Sequence, residues 1–267
     1  MKLVLKSLAL AAFVMAGSAH AAALTLSTGS SVSDQGWTVS NLSGSGNLVF
    51  SSTLIGALNA GGVVVESAAP AVVTSKLNAK GTAYTAITAA APVTSLSGSF
   101  DGSTVSIASV GTQGGALLTS EADGFTTTGG SLSITNLKVD LGTKSVYATL
   151  VGGNGVGTLN NYLLWNYSTL TGATSFAAVE GTTTSNNTLT GLTITSAAFE
   201  TFSTALGLTT AGRNAMASIT DYGSISSSIS VLASKNAVTP AVPEPSTYLL
   251  MGLGLVGIAA VSKRAKR

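Results

Sequence analysis

The chain contains no cysteine. Disulfides and thiolate chemistry are closed to it, so any stability outside the cell must come from packing and backbone ladders. Its one histidine, His20, lies in a leader-like segment that processing would remove. Without imidazole, a mature chain has no Ser-His-Asp or Cys-His catalysis, no histidine metal site and no imidazole proton shuttle. No lysine between residues 22 and 241 follows a serine by three positions, which removes the Ser-x-x-Lys dyad as well. Charged residues make up only 8% of the chain. Between the two ends the acidic residues outnumber the basic ones, so the basic face that nucleic-acid binding requires is missing. These absences predict a protein that is not an enzyme and carries no metal and no cofactor.

What charge there is gathers at the ends. Lys2 and Lys6 precede an apolar run from Leu8 to Met15, followed by small residues around Ala19-His20-Ala21. A basic start, a short apolar centre and an Ala-x-Ala site make the pattern of a secretory leader. Residues 1–21 are therefore read as a signal peptide, with Ala19 and Ala21 flanking the signal-peptidase site. At the other end, Thr247 to Ser262 bounds an unbroken apolar or glycine run, followed by Lys263, Arg264, Lys266 and Arg267. A bilayer span takes about 20 residues, so this one is short; snorkelling basic side chains and local thinning make up the difference. Positive charge stays on the cytoplasmic side, which places everything before Pro243 outside. The literal Gly-x-Gly-x-x-Gly at Gly252, Gly254 and Gly257 lies inside this run with no strand before it, so it is no dinucleotide site.

The order Pro243-Glu244-Pro245, then Ser246-Thr247, an apolar helix and a terminal basic cluster resembles the PEP-CTERM sorting signal. That resemblance implies recognition at Pro243, Glu244 and Pro245 by exosortase, a membrane protease-transpeptidase of exopolysaccharide-producing Gram-negative bacteria. The physical logic agrees with it. The apolar segment halts the chain in the membrane, and the two prolines hold an extended stretch open to a protease. Residues 236–242, "NAVTPAV", read as the linker that leads to residues 243–267.

Residues 22–235 are rich in Gly, Ser, Thr and Ala, with Val, Ile and Leu recurring at period two. This pattern predicts an all-β ectodomain, a sandwich or a barrel-like fold. "SFDGSTV" predicts a two-residue type I′ hairpin at Asp101-Gly102, and "VDLGTKSV" another at Gly142-Thr143. Leu132 and Ile134 have the opposite parity to Leu137 and Val139, which predicts a bulge near Thr135-Asn136. Trp37–Val39, Leu48–Phe50, Val63–Val65, Val72–Thr74 and Ile225–Val231 read as further strands. One stretch has helical spacing: Phe199, Phe202 and Leu206, with Thr195 or Ser196 as cap and Gly207 as stop. It predicts one or two short helices within 196–218.

"EADGFTTTGGSL" has the carboxylates Glu121 and Asp123 beside Gly124 but lacks the alternating oxygens and closing Glu of a calcium loop, so it reads as a solvated turn. "NYLLWNYS" has two readings. Trp165 is core, or Tyr147, Tyr162, Trp165 and Tyr167 form an exposed aromatic platform that contacts a ligand. "LSITNLKVDLGTKSVYATL" with "LTGLTITSAAFETFSTALGLTTAG" resembles the HtaA-type domains of surface haem-uptake proteins. That resemblance implies a β domain holding haem through a Tyr with a His nearby; the ectodomain has the Tyr and no His.

These readings predict an exported surface or extracellular-matrix protein, sorted by exosortase, structural or adhesive among exopolysaccharide or in biofilm. A surface module for haem or a glycan is the alternative.

Overall fold

Alternation of aliphatic with Ser and Thr side chains turns into strands almost everywhere it occurs. The computed structural model describes residues 21–236. Ala19, the predicted transmembrane run 247–262, the sorting residues Pro243–Pro245, the basic cluster and all of the linker but Asn236 lie outside the described residues. Ala21 begins the described chain and is exposed.

The elements run β1 (Ala22–Ser27), β2 (Ser31–Asp34), β3 (Trp37–Phe50), α1 (Ser52–Ala60), β4 (Val64–Ala68), β5 (Val72–Leu77) and β6 (Tyr84–Phe100). Then come β7 (Thr104–Thr112), β8 (Gly115–Ser120), β9 (Gly130–Asp140), β10 (Ser145–Gly152), β11 (Gly157–Gly172) and β12 (Ser175–Ala177). The chain continues through β13 (Gly181–Ile194), α2 (Ser196–Ala205), α3 (Thr210–Ala217) and β14 (Gly223–Lys235). The expectation of an all-β fold with short helices in 196–218 is met.

All fourteen strands join one antiparallel sheet. Its central path is β7-β6-β3-β14-β13-β11-β10-β9, and β9 returns to pair with β7 at Ser109↔Asp140, Val110↔Val139 and Gly111↔Lys138. The eight strands therefore form a ring, which decides for the barrel over the sandwich. The long strands β3, β6 and β14 run past two hydrophobic cores. One gathers Leu24, Leu26, Leu42, Leu96, Phe100 and Ile229. The other lies where α1, α2 and α3 cover the sheet, and holds Leu58, Leu150, Leu164, Phe202, Met216 and Tyr222.

Three helices fit because hydroxyls cap them. Ser51, Thr195 and Thr209 each accept a bond from the backbone N–H of the third residue on, an orphan donor of the first turn. The chain turns out of α2 at Gly207, where φ is +61°, as the sequence predicts. Helix α1 is not foreseen by the strand readings on either side of it.

The hairpins depart from expectation. Between β6 and β7 the loop has three residues, Asp101 to Ser103, and only Gly102 has positive φ. The Asp101 carboxylate closes it by accepting the N–H groups of Ser103 at 2.9 Å and Thr104 at 2.7 Å. A side chain that caps its own turn removes the need for positive φ at both positions. At the second site the reversal spans Leu141 to Lys144, with positive φ at Lys144 and Asp140 accepting from the Thr143 N–H at 2.9 Å. Trp37–Val39 and Leu48–Phe50 are two parts of the single strand β3. The phase change near Thr135-Asn136 is a true bulge: Asn136 has φ +54°, and the β9–β10 register shifts opposite it.

Candidate functional site

The aromatic segment lies on β11, and an irregularity in its pairing with β10 decides where its side chains go. Val146 pairs with Trp165 while Tyr147 pairs with Leu163, so Leu164 is an extra residue in β11. A bulge turns neighbours toward one side, and Leu164 and Trp165 are both buried, where strict alternation would place them on opposite faces. Tyr167 is buried too, its hydroxyl near the carbonyls of Asp140 and Leu141 at 3.5 and 3.4 Å. Tyr162 is half-buried and bonds Thr201 at 2.9 Å; Tyr147 is half-buried on β10. The exposed platform is therefore not formed, and Trp165 is core.

The turn at Glu121–Asp123 holds no free carboxylate at Asp123. Its oxygens accept from the N–H groups of Phe125 at 2.8 Å, Thr126 at 2.7 Å and Thr127 at 2.9 Å, and from the Thr126 hydroxyl. The Thr126 hydroxyl and these backbone donors hold the carboxyl well below the usual range. Among the described residues no group of three or more His, Asp or Glu could hold a metal ion.

The outer face of the ring carries an array that periodicity alone does not single out. On β13, Ser185, Asn187 and Leu189 are buried, so Thr184, Asn186, Thr188 and Thr190 point outward. The register sets these against Ser230, Ser228, Ser226 and Ser224 of β14. On the far side of β14, Ser230, Ser228 and Ser226 meet Ser43, Ser45 and Asn47 of β3. Strands lie about 4.8 Å apart, so the result is a grid of hydroxyls and amides without one charged side chain. Thr184 and Ser230 bond each other at 2.7 Å; the grid is a register consequence and becomes visible only when the pairing is known.

Between the sheet and the three helices lies an apolar cavity of about 110 Å³. Its walls include Leu48, Leu58, Phe202, Met216, Trp165 and Tyr222. Trp165 and Tyr222 are 3% and 2% exposed, and their ring centroids are 6.3 Å apart. The main chain at Tyr222 is fixed on both sides: its N–H donates to Leu192 at 2.8 Å and its carbonyl accepts from Ser51 at 3.3 Å. Its hydroxyl has no partner, and neither has the Trp165 Nε1.

Burial pushes the Tyr222 phenol up to about 12. Because the folded value lies above the ordinary value near 10, stability is full below pH 10 and falls as pH rises toward 12. The slope reaches about 1.4 kcal/mol per pH unit. Urea midpoints measured from pH 9 to 12 are expected to fall, and Tyr222→Phe to flatten that decline; an unchanged decline would place the titration elsewhere. Tyr167, raised by burial and then by Asp140, keeps its own share.

Residues 241–264 match the family described as the PEP-CTERM protein-sorting motif. The matched segment contains Pro243, Glu244, Pro245, Lys263 and Arg264. Such a motif implies export, processing at the membrane with exosortase as the partner, and delivery to the surface. No curated protein and no solved structure matches the chain. The HtaA-type resemblance is thus without support, and its haem-holding pair has no counterpart in the described residues. Among the described residues no helix is long and apolar enough to cross a membrane.

Proposed function

We propose that this protein is a non-enzymatic component of the exopolysaccharide matrix of a Gram-negative bacterium, delivered by exosortase and retained there by hydrogen bonding to polysaccharide. Signal peptidase removes residues 1–21, and the run 247–262 with its basic tail holds the chain in the inner membrane until it is cut. The observation that carries the adhesive role is the uncharged grid on β13, β14 and β3. Polysaccharides present closely spaced hydroxyls that both donate and accept, and Ser, Thr and Asn side chains do the same. Many weak bonds repeated across one face sum by multivalency where a single one would exchange with water. The lack of histidine and cysteine in the mature chain, and the capped carboxylates of Asp101 and Asp123, agree with a protein that binds and does not cut.

The test fractionates producing cells into inner membrane, surface, matrix and medium. Most of the wild-type protein is expected with the matrix polysaccharide. A Thr184→Ala, Asn186→Ala, Ser228→Ala variant is expected to shift several-fold into the medium, since all three side chains are exposed and their loss leaves the core untouched. An unchanged distribution would refute the grid as the adhesive face. Release of reducing ends from the polysaccharide would refute the non-enzymatic reading.

A further inference from the structure

We infer that Asn154 is a self-modification site: it deamidates to aspartate and isoaspartate ahead of every other asparagine, and the change unfastens the end of α2. This goes beyond the matrix role and rests on none of it.

The turn selects the reactive pair. Asn154-Gly155 is the sole Asn-Gly dipeptide in the chain. It forms the centre of the β10–β11 hairpin, with φ +52° and +85°, closed by the Val156 N–H on the Gly153 carbonyl at 3.1 Å. Positive φ at both central residues is the type I′ turn, which favours Asn-Gly. Both residues are exposed to water. Asparagine is thermolabile, and a following glycine has no Cβ to shield its amide nitrogen. In the reaction the Gly155 nitrogen attacks Asn154 Cγ, its proton leaves with Nδ2 as ammonia, and a cyclic imide closes. Water then adds to one imide carbonyl and breaks its C–N bond. Opening at one carbonyl gives aspartate; opening at the other routes the main chain through Cγ and gives isoaspartate.

Asn154 is also a clasp that an acid cannot replace. Its Nδ2 donates to the Gly129 carbonyl at 3.0 Å and to the Ala205 carbonyl at 3.1 Å. Ala205 is the last residue of α2, where helix carbonyls lack intrahelical partners and the dipole is negative. The nitrogen sits in a notch between two glycines: a Cβ on Gly130 would come within 2.6 Å of it, and one on Gly207 within 3.2 Å. A carboxylate has no N–H to give. In that notch it sets a negative oxygen against two carbonyl oxygens and the negative end of α2. Isoaspartate in addition lengthens the main chain of a turn closed on two central residues.

The test uses mature protein purified from producing cells, incubated at mildly alkaline pH. Peptide mass mapping at intervals follows the replacement of NH₂ by OH at each asparagine. Asn154 is expected to convert several-fold faster than any other. Because this rate is read on the wild-type chain, it stands even if a variant fails to fold. The urea midpoint of Asn154→Asp is expected below that of Asn154→Ala, which removes the donor and adds no charge. On incubation the wild-type midpoint is expected to fall as Asn154 converts, while that of Asn154→Ala holds. Earlier conversion of another asparagine, no conversion at Asn154, an Asn154→Asp midpoint at or above that of Asn154→Ala, or equal ageing of Asn154→Ala would each overturn the proposal.

Discussion

Gly44→Ala is expected to destabilise the fold by about 4 kcal/mol, combining a glycine-only backbone conformation with an overpacked contact. Gly44 lies in the middle of β3 with φ at +141°, a region that residues with a Cβ rarely enter. A Cβ placed there would overlap the carbonyl oxygen of Ser228 on β14 and lie 3.0 Å from the Ile229 Cα. These are backbone atoms of the neighbouring strand in the ring, so they cannot swing aside as a side chain could. Domains of this kind are stable by about 5–15 kcal/mol, so the loss is a large share of the total. The urea midpoint is expected to drop while the slope stays the same. Gly56 is the internal control. It lies in α1, and a Cβ there meets nothing within 4 Å. Gly56→Ala is expected to gain about 0.5–1 kcal/mol by stiffening the unfolded chain. If both glycines respond alike, composition and not close strand approach explains the glycine content of β3.

That contrast shows how far the fold could be read in advance. Strand content follows from local alternation, and the bulge at Asn136 followed from a change of parity that a linear reading detects. Phe199, Phe202 and Leu206 marked α2 because a helical stripe differs in period from a strand. Helix α1 had a similar stripe in Leu54, Ile55 and Leu58 after the cap Ser51, but its neighbours are strands and its glycine at 56 weakens the signal. Ring closure was not readable. It depends on β7 meeting β9 across the reversal at Gln113 and Gly114 and the whole of β8, a long-range pairing with no local mark. The same reason hid the hydroxyl grid and the cavity. Each is made by residues distant in sequence, and the core reading of Trp165 holds with Leu164 as a bulge beside it.

The sorting segment is the opposite case. Its information is linear: Pro243-Glu244-Pro245, a short apolar run and a basic cluster carry the signal without a partner elsewhere in the chain. Its removal is expected to have the largest effect of all, because Pro243, Glu244 and Pro245 lie within the segment that matches the sorting motif. Replacing Glu244 removes the charge between the prolines, and replacing Pro245 restores the backbone N–H and the free φ that proline lacks. On the proposed reading, a chain that is not cut is expected to keep its basic residues on the cytoplasmic side and to stay in the inner membrane. The fold of residues 22–235 is expected to be unaffected, so the wild-type urea midpoint in the variant separates a sorting defect from misfolding.

The measurement that tests this most directly is the intact mass of the protein from producing cells, beside that of Glu244→Ala, Pro245→Ala. The wild-type protein is expected to lack both residues 1–21 and a C-terminal piece containing Arg267, while the variant is expected to retain Arg267 and to fractionate with the inner membrane. Retention of Arg267 in the wild-type protein would contradict it: the segment would then be an anchor alone, and the ectodomain would work at the outer face of the inner membrane.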